Sequence, residues 1–363
     1  MKQRWLLMSL LAVVTASPLP GQSGGIRDSA VLRGRVIGAE TGQPLPFAMV
    51  SIPSIDVQRF ADGEGRFIIP RLSPGTYRLR VRHLGHSPVE RDVVVDRNGA
   101  EDLTIRMSRI AMRLAVMNVS ATWECESPGR PSSDASSQVA EVFEQLEQNA
   151  ERLRLLAREY PFEVDMERRF LLRRVDGTEL FERADTTLVA GIKETSYRPG
   201  RVVTRVGRGE RAQSFMAVPT LVDFADSLFQ QNHCFRLRGV DDSDGTPLIR
   251  VDFKAWRKLK SPDVDGSVFL DTAGFRLRRS EVSLTRIPSG FDGLIGVRVT
   301  TRFSDLRPGL PIATSIHAVN EVKPTGGRQR YSGAIETQKA LLVRFLKQQP
   351  DSAPPGDDQR KTR

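Results

Sequence analysis

Between Gly34 and Asp96 the chain alternates short apolar runs with turn clusters at near-regular intervals. That spacing is the signature of a small all-β sandwich. Asp62-Gly63-Glu64-Gly65 supplies residues that tolerate positive φ between two strands. Pro74-Gly75 reads as a type II turn, with proline presetting φ at the first central position and Gly75 taking positive φ at the second. Beyond it, Tyr77, Leu79 and Val81 share one face of a strand, and Arg78, Arg80 and Arg82 share the other. The first face is expected to be core and the arginine face solvent.

The order of these pieces resembles the carboxypeptidase-regulatory-like domain, a transthyretin-like sandwich of seven strands. Gly34 and Val36 match its first strand; Thr41, Gly42, Pro44, Leu45 and Pro46 its first turn; Ala48 and Val50 its next strand. Asp62, Gly63, Gly65 and Phe67 match its hairpin, and Leu72, Pro74, Gly75 and Tyr77 its corner. The closing glycine–aromatic pair departs from the pattern, because Gly85 is followed by His86. The resemblance spans roughly residues 30 to 108. It implies a structural or interaction role, with loops or a sheet edge offered to a partner.

Ahead of this module, Lys2 and Arg4 precede an apolar run from Trp5 to Val14 that is too short to span a membrane. Val14-Thr15-Ala16 has compact residues at the cleavage positions. Residues 1–16 are therefore expected to be a secretory signal, and 17–29 a flexible start of the exported chain. No cysteine lies near the cut, which argues against a lipid anchor, and no later apolar stretch is long enough for a membrane helix. Cys125 and Cys234 are the two cysteines. In an oxidising compartment an even pair reads as a disulfide, with two unpaired buried thiols as the alternative.

Residues 109–137 are expected to be a connector and linker. Ser108 to Thr122 resembles the segment that follows this module in TonB-dependent receptors, but the series of strands that a receptor barrel needs does not come next. Residues 138–348 are expected to form a helix plus an antiparallel β domain. From Ser137 to Glu159, Val142, Phe143, Leu146, Ala150 and Leu153 fall on one helical stripe, with charged residues on the other face. From Phe162 onward the period switches to two, with turns at Asp176-Gly177, Asp244-Gly245, Asp265-Gly266, Thr272-Ala273-Gly274 and Asp292-Gly293. Thr220 to Gln231 reads as a short helix capped by Thr220. Residues 328–346 fit a closing strand pair better than a helix, and 349–363 form a polar, proline-bearing tail expected to be disordered. The fold class is thus mainly β: an N-terminal seven-stranded sandwich and a C-terminal α+β domain with a long antiparallel sheet. The strands between Ile249 and Leu284 resemble the half-barrel proteins of lipoprotein trafficking.

The formal net charge is +10. The arginines alternate with apolar residues along strands and aromatics are sparse, which argues for a solvated basic face and against nucleic acid, with attraction to anionic envelope lipid or polysaccharide as the alternative. His83 and His86 are three apart; on a strand they would point to opposite faces, so they are not expected to hold a metal. Asp241-Asp242-Ser243-Asp244-Gly245 places its glycine out of register for a calcium loop. No nucleophile elbow, phosphate loop or dinucleotide fingerprint is present. No catalytic, cofactor or metal residue is therefore expected. The chain reads as an exported, non-enzymatic envelope protein that binds an envelope protein partner. The alternative is carriage of an apolar ligand, such as a lipid or lipidated chain, in the curved C-terminal sheet.

Overall fold

A computed structural model describes residues 30–97, 102–110, 123–131, 137–191, 197–206, 213–243, 245–289, 291, 293–307, 310–323 and 331–346. The expected signal and N-terminal segment, most of the connector, Asp244, Asp292 and the C-terminal tail lie outside them.

The first module contains seven strands in two sheets. They are β1 (Ala30–Gly38), β2 (Met49–Ile52), β3 (Val57–Phe60), β4 (Arg66–Leu72), β5 (Gly75–Arg82), β6 (Val89–Val95) and β7 (Leu103–Met107). One sheet runs β4-β1-β7 and the other β3-β2-β5-β6. β1 pairs antiparallel with β4 and parallel with β7. The inward residues of the two sheets, among them Leu32, Val36, Val50, Phe67, Ile69, Leu79, Val81 and Ile105, form one core.

The turn chemistry is partly as expected. Asp62 organises the β3–β4 hairpin by accepting the backbone N–H groups of Glu64 and Arg66 at 3.0 and 2.8 Å. Gly65 sits at φ 73°, where a Cβ would stand 2.5 Å from the Val36 carbonyl oxygen. Gly75 differs from expectation. It opens β5 opposite Val95 and is not among the positive-φ residues. The left-handed step falls instead on Arg71, at φ 61°. The Tyr77 hydroxyl then ties the corner by donating to the Ser73 carbonyl at 2.8 Å. A proline–glycine pair permits a type II turn but does not require one when a side-chain bond fixes the corner elsewhere.

The second module holds α1 (Ser137–Glu159) and then a sheet of nine strands. The strands are β8 (Phe162–Arg174), β9 (Glu179–Ala190), β12 (His233–Asp241), β13 (Leu248–Ala255), β14 (Val264–Asp271), β15 (Leu277–Leu284), β16 (Leu294–Arg307), β17 (Leu310–Val322) and β18 (Tyr331–Phe345). The order is β12-β13-β14-β15-β16-β17-β18-β8-β9, antiparallel throughout. A hairpin of β10 (Val203–Val206) and β11 (Gln213–Met216) stands apart from it. The expected short helix is two single turns, α2 (Leu221–Phe224) and α3 (Ser227–Gln230). Asp223 closes a capping box with Thr220, and Asp226 caps the second turn. Residues 331–345 form one strand inserted between β17 and β8, which closes the sheet in place of a strand pair.

Asp265-Gly266 is not a turn. Both residues lie inside β14, where a Cβ on Gly266 would stand 2.1 Å from the Glu281 carbonyl oxygen and 2.8 Å from the Phe253 ring. Glycine serves here to let a ring lie flat on the strand. On the inner face of the sheet, α1 to α3 bring Phe143, Leu146, Leu153, Phe224 and Phe229 against Val164, Ile249, Phe253, Val268 and Val282. That part of the curved sheet is packed core. No helix among the described residues is long and apolar enough to cross a membrane.

Candidate functional site

The two modules meet along α1. The arginine face of β5 is not simply solvated. Arg82 Nη1 lies 2.6 Å from Glu151 of α1, and Arg80 lies 3.7 Å from Glu144. Gln58 of β3 donates to Glu151 at 2.9 Å, and Arg130, just ahead of the helix, engages Glu144 and Glu147. Alternation along β5 does separate core from arginines, but the second module covers part of the arginine side.

The middle of α1 is buried on a second stripe, made of amides and one cation. Gln145, Gln148, Asn149 and Arg152 are all nearly inaccessible. Gln145 accepts the Gly85 N–H at 2.9 Å, and Asn149 donates to the Phe275 carbonyl. Sequence reading placed charged residues on this side of the helix and missed that it is an interface. The available signal was the clustering of amides beside the apolar stripe, where a solvated face would carry glutamates and lysines.

His83 and His86 do not diverge. The chain turns at Leu84-Gly85, with Gly85 at φ 76° and the His86 N–H bonded to the His83 carbonyl at 3.1 Å. The two Nδ1 atoms then stand 3.1 Å apart and the rings meet edge to face. The strand rule fails because these residues lie past the end of β5. Burial drives the His83 imidazole down to about 3, and the positive charge of Arg152 adds to the effect. Among the described residues no group of three histidine, cysteine or acidic side chains could hold a metal.

A cleft of about 660 Å³ opens beside this seam. Its floor is the outer face of the β4-β1-β7 sheet. Arg33 is opposite Ile68, and Arg35 is opposite Arg66 and Thr104, so these side chains share one face. The far wall is the end of α1, through Leu156 and through Tyr160 just beyond the helix, together with Phe60. Phe47, also on the lining, is held at φ 58°. Arg66 is engaged by Asp62 and Glu64 at 3.0 and 2.9 Å, whereas Arg35 donates through Nε to the Glu64 carbonyl.

A second polar cluster is sealed in the core of the sheet module. The Tyr197 hydroxyl donates to Asp263 at 2.8 Å, and burial raises its pKa. His233 stands 3.4 Å from the same carboxylate, with Nδ1 at 2.8 Å from the Phe229 carbonyl and Nε2 at 3.0 Å from that of Val264. His233 and Asp263 are at most 1% exposed. Their bonds fasten α3 to β14, and no substrate reaches them. At Asp241 the carboxylate accepts the Ser243 N–H and faces Arg250 and Arg279, the partners of a charged hairpin end.

Cys125 and Cys234 are bonded, and Cys125 is fully buried. The Cys125 carbonyl accepts the Arg257 N–H, so the segment ahead of α1 is fixed to β12 and to the end of β13. The predicted turn residues lie around the cleft unevenly: Asp62 is on its lining, while Pro74 and Gly75 are not.

Residues 31–108 match the model of the carboxypeptidase regulatory-like domain. No curated protein matches the chain. Among solved structures, the chain is similar to a putative outer membrane lipoprotein-sorting protein domain from Vibrio parahaemolyticus. The identity is 13%, over 57% of this chain and 95% of that one, with a TM-score of 0.28. It is also similar to a DUF1329 family protein from Desulfovibrio piger at 10% identity, over 58% and 95% of the two chains, with a TM-score of 0.30.

Proposed function

We propose that this chain, with a carboxypeptidase regulatory-like domain as its first module, is an exported, non-enzymatic binding protein of the cell envelope. The two modules act as one rigid body, and the cleft between them is the binding surface. The observation that carries this reading is the cleft, about 660 Å³ with walls from both modules. That volume lies in the range of small-molecule sites. The seam of Arg82–Glu151 and Gln145–Gly85 contacts supports a fixed geometry. The basic–apolar–compact order of residues 1–16 and the disulfide support export. Because the part of the sheet's inner face under α1 to α3 is filled, we assign the ligand-carrying alternative to the junction and not to the curved sheet.

A second reading has its own observation. β9 ends the nine-stranded sheet, and Phe181 and Leu188 stand 63% and 52% exposed on it. An edge that no strand covers among the described residues, with apolar anchors, suits strand addition by an envelope protein. Intact-mass measurement of the natively isolated, disulfide-bonded protein separates the two. An adduct of small mass on the wild type that is lost from Ile68→Trp supports the cleft. An adduct unaffected by Ile68→Trp, or none at all, refutes it. A protein-sized adduct lost on substitution of Phe181 and Leu188 by glutamate would favour the edge instead.

A further inference from the structure

We propose that the junction cleft takes an anionic amphiphile, an oxyanion such as a carboxylate carried on an apolar body. This rests on the reading of the cleft as a binding site and specifies its ligand class.

Three observations carry it. Arg33 and Arg35 alternate on β1, so both guanidinium groups face the cleft. No carboxylate lies within ion-pair distance of either among the described residues. The third lining arginine, Arg66, is already held by Asp62 and Glu64. Asp102 is the remaining lining carboxylate, so the unneutralised charge of the wall is positive.

Arg152 is the second observation. It is 6% exposed, its Nε has no hydrogen-bond partner, and no ion pair reaches it among the described residues. Its guanidinium lies 5.8 Å from the centre of the Phe60 ring, and Phe60 lines the cleft. The carboxylate that acts on Arg152, Asp305, lies beyond ion-pair distance and is already paired with Arg276 and Arg278, so the buried charge is only partly offset, which is costly to the fold. Arg152 lies behind the Phe60 ring of the lining, where it adds positive potential in a poorly solvated place. Burial lowers its pKa to about 10, which leaves it charged at neutral pH.

The apolar wall is the third. Phe60, Tyr160 and the 56% exposed Ile68 offer a bare anion nothing, but they shelter methylene groups, with the buried Leu156 packed behind them. Each methylene withdrawn from water strengthens binding about fourfold. A charged head at the β1 arginines with an apolar tail along α1 satisfies both halves of the lining.

The test is a ligand-observed NMR titration of the full, disulfide-bonded chain with octanoate, octan-1-ol and butyrate. Octanoate is expected to bind, octan-1-ol at least tenfold more weakly, and butyrate not measurably. Arg33→Glu with Arg35→Glu should weaken octanoate at least tenfold and leave octan-1-ol unchanged. Both substituted residues are exposed, and an unchanged melting temperature confirms the fold. Ile68→Trp should abolish both ligands. Equal binding of octanoate and octan-1-ol would overturn the anionic class while leaving the cleft as a binding site. Octanoate binding that survives Ile68→Trp, or no binding of any probe, would overturn both.

Discussion

Replacing Gly266 by alanine should destabilise the sheet module more than its exposed-looking sequence context suggests. The added Cβ would stand 2.1 Å from the Glu281 carbonyl oxygen, 3.1 Å from the carbon of the same group and 2.8 Å from the Phe253 ring. Backbone on β15 cannot yield without parting the β14–β15 ladder, in which Gly266 is opposite Val282. Phe253 is 1% exposed and packs against Phe224 and Phe229, so its ring has no empty side to move into. Overpacking of this kind costs about 1–3 kcal/mol, and a clash with backbone belongs at the upper end. For a module of this size each kcal/mol lowers the melting temperature by about 2–4 °C, so a fall of roughly 6–12 °C is expected. Gly75→Ala is the control. Its Cβ would meet nothing closer than Tyr77 Cε2 at 3.9 Å, and its φ lies outside the left-handed region. That substitution should be neutral or stabilising by up to about 1 kcal/mol. Calorimetric melting of both variants decides the matter. A Gly266→Ala melting temperature within about 2 °C of wild type would refute the packing argument, and a large fall in Gly75→Ala would restore the turn reading.

Two further outcomes follow from the same contacts. The Cys125–Cys234 bond closes a loop with a sequence separation of 109, so its reduction should cost about 2–4 kcal/mol, seen as a lower urea midpoint; equal midpoints with and without reductant would contradict it. His83 is neutral in the fold, with its pKa near 3, and takes a proton near 6.5 when unfolded, so its stabilisation is complete above about pH 6.5 and is lost as the pH falls towards 3. Allowing for the ring edge that reaches solvent, this is worth about 2–4 kcal/mol, and a His83→Gln variant should show a shallower loss of stability between pH 6.5 and 4; parallel profiles for the two proteins would count against it.

What was legible in the sequence was what local chemistry dictates. The sandwich followed from period-two alternation and from Asp62, whose carboxylate caps its own hairpin. α1 followed from an apolar stripe at helical spacing and runs from Ser137 to Glu159 as read. The disulfide followed from compartment and cysteine count. What was not legible depended on contacts between residues far apart in the chain. Gly266 looks like a turn residue until Phe253 is laid across it, and Gly75 looks strained until the Tyr77 hydroxyl fixes the corner. His83 and His86 obey strand geometry only if the strand continues, and it stops at Arg82. The cleft is of the same kind. Arg33 and Arg35 are ordinary outward residues of an ordinary strand, and Arg152 is one of several arginines on a helix. Only the docking of α1 across the sandwich brings the buried Arg152 guanidinium up to Phe60, on the lining that Arg33 and Arg35 share. A long-range feature that costs stability, as a buried arginine offset only from a distance by Asp305 does, is the kind that packing alone does not explain. A ligand with its own negative charge would offset the Arg33 and Arg35 side of the lining, and the comparison of octanoate with octan-1-ol decides whether the cleft takes one.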